Sequence, residues 1–286
     1  MVVIRPVVVA CGLLLGACVQ KPLMIPAAQV TAAVEANNKA EIFFRQGDLN
    51  RAAQYYGEAL RIARAIEDVD GVAANAINLS IVYQRQGKID LARSSLALIS
   101  DGVLAFSSTR LAQASLRLAI LDFDERKYAT AAEAVEKALK GCITQDCSLL
   151  PAIHNLKGRI VLETGQQNLA AVSAQAAMNT SKQQNNRMEL ANAFRLLGDS
   201  AFRSGNLRES LLSYEEALRI DTELAEPGKI YRDHVALGNA TASMGDRDIA
   251  RAHYKRALSV SEASRDGKSM DQVRRLIKEL EAKGAP

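Results

Sequence analysis

Tryptophan is absent from this chain of 286 residues, aromatic residues make up only 5%, and histidine occurs 3 times. No apolar run approaches the roughly 20 residues that a membrane-spanning helix needs. There is no nucleophile elbow, no zinc-binding His-Glu-x-x-His, no phosphate loop and no dinucleotide glycine fingerprint. Charge of one sign is also missing: 36 basic residues stand against 32 acidic ones. A net charge of +4 on so long a chain makes no field suited to nucleic acid. No segment alternates apolar and polar residues between turn signals, so no strands are expected. His154 and His234 fall at bulky packing positions of helical stretches and are read as structural. His253 lies beside Tyr254 and is expected on the outer side of its helix. No cofactor or metal is expected. An enzyme is not expected either, since a catalytic constellation would have to assemble from scattered segments.

The N-terminus carries a different kind of signal. Arg5 precedes an apolar run, Pro6 to Ala17, that is too short to cross a bilayer and has the layout of a secretory signal. The run closes on Leu15-Gly16-Ala17-Cys18. This resembles the bacterial lipobox, in which the cysteine thiol takes a diacylglycerol and cleavage leaves it as the acylated N-terminus. Val8-Val9-Ala10-Cys11 fits the same pattern but would leave an apolar core of only a few residues, so Cys18 is the expected lipidation site. A secretory signal with an incidental cysteine is the plainer alternative. Val19 follows the cysteine, where an aspartate would signal inner-membrane retention in enteric-type sorting. The resemblance therefore implies the outer membrane, with the chain facing the periplasm. Residues 1–17 are read as the signal and 18–29 as a lipidated tether, with Pro22 and Pro26 keeping it non-helical.

Repetition dominates the rest of the chain. RQGDLNRAAQYYGEALRIA, RQGKIDLARSSLALI, ERKYATAAEAVEKALK, ETGQQNLAAVSAQAAM, RSGNLRESLLSYEEALRI and SMGDRDIARAHYKRALSV look alike. Their turn residues are Gly47, Gly87, Arg126, Gly165, Gly205 and Gly245, at steps of 39 or 40 residues. Such a period means stacked supersecondary units. Before the turn, Leu190, Phe194, Leu197 and Ala201 share one helical face; after it, Leu207, Leu211, Tyr214 and Leu218 do. The turn glycine suits the left-handed residue that ends many helices.

These units resemble the tetratricopeptide repeat. The fifth gives Phe194, Leu197-Gly198, Gly205-Asn206, Ser210, Tyr214 and Ala217; the sixth gives His234, Leu237-Gly238, Gly245-Asp246, Ala250, Tyr254 and Ala257. The third and fourth depart from the pattern, with Arg126 for the turn glycine and Lys157 for the leucine. The resemblance implies an all-α, right-handed α-solenoid of about six helix pairs over residues 30–265. Its long step suggests extra turns in each second helix. Residues 266–286 are expected to cap the stack, Val273, Leu276, Ile277 and Leu280 inward and Arg274, Arg275, Lys278 and Glu279 outward.

Cys142 and Cys147 are the two cysteines left after processing. In an exported protein a pair this close is expected to bridge; a metal reading lacks further ligands nearby. The resemblance also implies a concave surface, lined by first helices, that holds partner segments. Asn37, Glu41, Ile77, Ile81, Leu116, Asn155, Arg159, Arg195, Asp199 and Arg203 are expected to face it. The Lys and Asn clamp for a chaperone tail is not reproduced, since Asp199 replaces the asparagine. Phe44, Phe123 and Phe202 recur every two repeats, with Arg45, Asp124 and Arg203 beside them. They read either as core rings or as anchors for an apolar partner segment with a polar rim. The function expected is a lipid-anchored scaffold for proteins or peptide segments of the cell envelope, touching membrane through its lipid alone and no nucleic acid. The alternative is a pilotin-like lipoprotein of secretion or pilus assembly.

Overall fold

Two helices joined by a tight turn fill each step of the repeat. The computed structural model describes residues 28–282, apart from residues 101, 103 and 143–146. The signal and lipidation readings, Cys18 included, lie outside the described residues, as does nearly all of the tether.

Thirteen helices occur among the described residues, and no strand. The first pair is α1 (Ala28–Arg45) and α2 (Leu49–Ala65), the second α3 (Val69–Arg85) and α4 (Ile89–Ser100), the third α5 (Ser108–Asp124) and α6 (Tyr128–Gly141). Then come α7 (Leu150–Glu163) with α8 (Gln167–Gln183), α9 (Arg187–Arg203) with α10 (Leu207–Glu223), and α11 (Pro227–Met244) with α12 (Arg247–Ala263). Helix α13 (Gly267–Ala282) closes the stack. The long step does not come from a stretched second helix, as the sequence suggests. Helices α9 and α10 are both 17 residues long, so the extra length is shared within the pair.

Each turn is built the same way. Gly47 takes φ +79°; its N–H donates to the Phe44 carbonyl at 3.1 Å and the Asp48 N–H to the Phe43 carbonyl at 2.9 Å. That pair of bonds satisfies carbonyls that a helix end leaves open. Arg126 adopts the same left-handed conformation at φ +60° without glycine's freedom. The turns between units repeat the device with Glu67, Asn185, Ala225 and Arg265, all at positive φ.

Small residues set the spacing. Ala52, Ala92, Ala131, Ala170, Ser210 and Ala250 occupy one position of the six second helices, and each is 0% exposed. Ala59, Ala138, Ala177, Ala217 and Ala257 do the same two turns on. A larger side chain at either place would push the stack apart. Successive first helices α3, α5, α7 and α9 pack on one another, whereas no two second helices are among the main packing pairs. The first helices therefore line the inner side of the curve. Helix α13 buries Val273 and Leu280, with Leu276 and Ile277 packed beside them, and leaves Arg274, Arg275, Lys278 and Glu279 exposed.

Candidate functional site

A groove of ≈ 760 Å³ runs along the inner side, and first helices α5, α7, α9 and α11 supply nearly all of its walls. Leu116, Ile120, Phe123 and Leu156 make an apolar floor, and charged groups surround it. The repeat decides where each side chain falls. Arg159, Asp199 and Asn239 hold one position in successive first helices, and at the last two the tyrosine of the following helix reads it. The Tyr214 hydroxyl donates to Asp199 and the Tyr254 hydroxyl to Asn239, both at 2.8 Å. The rings lie directly on Gly198 and Gly238, where a Cβ would collide with them. Burial pushes the Asp199 carboxyl up from the ordinary carboxylate range, against the pull of Tyr214 and the arginines around it.

Arg195 sits at the centre of a buried ionic cluster. Its guanidinium donates to Asp233 through Nε at 2.6 Å and also binds Asp221, and both aspartates are 0% exposed. Burial pushes Asp233 up to about 6, only partly countered by Arg195. The arginine is therefore engaged inside the protein, tying α9 to α10 and α11. It lines the groove without offering a free fork to a partner.

The residues singled out as docking candidates separate in space. Phe123 lines the groove, half-buried, with the Arg159 guanidinium 4.3 Å above its ring and Tyr128 at its edge. Asp124 is beside it at the groove's margin and accepts from Gln84 at 2.5 Å. Phe202 faces a second, smaller hollow against Asn239, Tyr254 and α13. Phe44 touches neither; it is half-buried on the first core cluster with Arg85 stacked 4.3 Å above it. Arg45 is exposed and pairs with Glu41 at 3.4 Å. Arg203 is tied to the end of α7 through the Leu162 carbonyl at 2.9 Å and Glu163. Each phenylalanine also packs against buried residues, so all three serve the core, and Phe123 and Phe202 face a hollow as well.

One expectation fails at the histidines. His253 does not face outward: its Nδ1 lies 3.2 Å from Nδ1 of His234, between α11 and α12. Burial, then the neighbouring His253 and Arg256, pushes His234 down to about 4. Two further cations of the groove, Lys229 and Arg232, escape notice in the sequence. They stand one repeat after Glu189 and Asn192, so the register alone points to them.

Cys142 and Cys147 are joined, with Cα atoms 5.4 Å apart, across the connector between α6 and α7. Gln184 donates to the Cys147 carbonyl at 3.0 Å, which fastens that connector to the end of α8. No group of three or more His, Cys, Asp or Glu side chains suited to a metal occurs among the described residues.

Helix pairs stacked at this step, with left-handed turns and small-residue columns, define a tetratricopeptide-repeat solenoid. The family described as tetratricopeptide repeat matches residues 31–97 directly. By sequence, no curated protein matches the chain. Solved structures share the fold. BtubC (BKLC) from P. vanneervenii is 20% identical at TM-score 0.58, covering 84% of this chain and 93% of that one. A Rap protein complexed with competence and sporulation factor is 14% identical at TM-score 0.65, covering 89% and 72%. Pseudomonas aeruginosa pilF is 13% identical at TM-score 0.56, covering 87% and 99%.

Proposed function

We propose that the protein is a lipid-anchored adaptor of the bacterial cell envelope. Cys18 holds it at the outer membrane on the periplasmic side, and the concave groove binds segments of partner proteins. The observation that carries the binding half is the groove itself: an apolar floor of Leu116, Ile120, Phe123 and Leu156 on rigid first helices, with charged walls. Pockets of mixed apolar and placed polar groups on rigid elements are where ligands bind. A Rap protein of similar fold is complexed with competence and sporulation factor, which supports ligand binding by such a stack. The anchoring half rests on Leu15-Gly16-Ala17-Cys18 at the end of a short apolar run. A short tether comes next: ten residues at no more than about 3.6 Å each keep α1 within roughly 40 Å of the membrane.

Two experiments on one strain test both halves. Cells fed a palmitate analogue are expected to label the native chain and not Cys18→Ala; label on the variant refutes the anchor. Partners crosslinked in intact cells are expected to co-purify with the native chain and to be lost with Phe123→Ser, which opens the groove floor. Equal recovery from both chains refutes the groove as the docking site.

A further inference from the structure

The groove's charges are unevenly satisfied. Every carboxylate on its walls already has a donor within the protein: Asp124 has Gln84, Glu163 has Arg203, and Asp199 has Tyr214. Glu189 accepts from Asn155 at 2.7 Å and from Asn192 at 3.1 Å. Arg195 is held by Asp221 and Asp233, but three other cations of the groove are not so provided. Lys229 Nζ is buried and makes no hydrogen bond. Arg232 is in no ion pair within 4 Å among the described residues, and Arg159 is held only over the Phe123 ring.

An ammonium left buried without an acceptor is costly. Burial pulls Lys229 below the usual lysine range, and Asp221, Glu226 and Glu189 stand near enough to counter this only in part. Arg232 is exposed along the groove, close to the charges of Arg195 and Arg159 as well as to Asp233 and Asp221. Carboxylates thus stand near both cations, yet among the described residues none accepts a hydrogen bond from Lys229 or pairs with Arg232, which leaves both to an acceptor from outside the chain.

We infer that the groove takes an acidic segment of a partner protein, its carboxylates meeting Lys229, Arg232 and Arg159 while an apolar side chain lies on Phe123 and Ile120. This rests on the adaptor reading and adds the chemistry of the partner. Lys229 and Arg232 are three residues apart on α11 and so share a face, with Cβ atoms about 5–6 Å apart. Helices packed about 8–10 Å apart put α7 and α11 roughly 20 Å apart, the length of about six extended residues. The segment therefore presents its apolar residue toward α5 and its acids toward α11.

A random dodecapeptide phage library, panned against the full chain, tests the assignment without presuming a sequence. Enriched peptides are expected to carry an excess of Asp and Glu near an apolar residue. Titration of one such peptide and its Gln-substituted counterpart is expected to show at least about tenfold weaker binding for the latter. Lys229→Gln/Arg232→Gln, with its helical circular dichroism retained, is expected to bind both peptides equally. Enrichment without acidic excess, equal binding of the two peptides to the native chain, or an undiminished preference in the double variant overturns the inference. The adaptor reading survives those results if the enriched peptides still lose binding to Phe123→Ser. Failure of any peptide to enrich overturns both.

Discussion

Placing alanine at Gly198 tests the packing of the repeats most sharply, because the same change elsewhere has the opposite sign. A Cβ at 198 would lie 2.6 Å from both Cδ1 and Cε1 of Tyr214 and 3.1 Å from its Cζ. Carbon atoms in contact prefer about 3.5–4.0 Å, so the ring must retreat by roughly 1 Å. Tyr214 is only 3% exposed and its hydroxyl is committed to Asp199, so retreat also strains that bond. Overpacking costs about 1–3 kcal/mol and a weakened bond to a carboxylate about 1 more, while alanine's better helix propensity returns about 1. The net loss is about 1–3 kcal/mol, or roughly 3–10 °C in Tm for a chain of this size. Gly57, within α2, meets nothing within 4 Å. Gly57→Ala is expected to gain up to about 1 kcal/mol and raise Tm by roughly 2–4 °C. Thermal melts followed by far-ultraviolet circular dichroism measure both. Shifts of the same sign would refute the tight tyrosine–glycine contact.

Three further outcomes are expected at single sites. His234, held down to about 4 against 6.5 unfolded, binds fewer protons folded than unfolded between those pH values. Its contribution is therefore lost as pH falls from 6.5 toward 4, whereas Asp233, raised to about 6, contributes more as pH falls through that value. His234→Phe is expected to gain up to about 3 kcal/mol on the native chain between pH 6.5 and 4 in urea titrations, and parallel pH profiles would contradict this. Arg126→Gly relieves a left-handed backbone costing about 1–2 kcal/mol against a glycine entropy cost of about 0.5–1, so a higher urea midpoint is expected and a lower one counts against the turn. Mass spectrometry of protein purified without reductant is expected to find Cys142 and Cys147 in one linked peptide, and two alkylated thiols would overturn the bridge.

The period was legible because each unit repeats the same packing problem. Gly47, Gly205 and Gly245 mark turns that need a left-handed residue, and Ala52 or Ala250 marks a contact with no room for more. What the sequence hid has physical causes. Glu67 and Ala225 take the left-handed turn without glycine, so the turns between units carry no distinctive residue. His253 lies beside the packed Tyr254, and its ring reaches back to His234 across the helix pair, a tertiary choice that periodicity does not contain. Arg195 reads as an inward-facing cation, but its partners Asp221 and Asp233 lie 26 and 38 residues away and come together only when the units stack. The groove's floor was partly legible in Leu116 and Phe123. Phe44 and Phe202 share Phe123's place in the repeat but not its hollow, since the groove ends before either is reached.

Site-specific photocrosslinking in living cells tests the central claim most directly. A photoreactive residue is placed at Ile120 on the groove floor and, in a separate strain, at Leu212, which is 61% exposed on second helix α10. Ile120 lines the groove while packing on the core behind it, and Leu212 opens into solvent, so retained helical circular dichroism is required of the position-120 chain. Docking in the groove predicts discrete partner adducts from position 120, abolished by Phe123→Ser, and none of the same adducts from position 212. Adducts that form at 212 and not at 120 would contradict it.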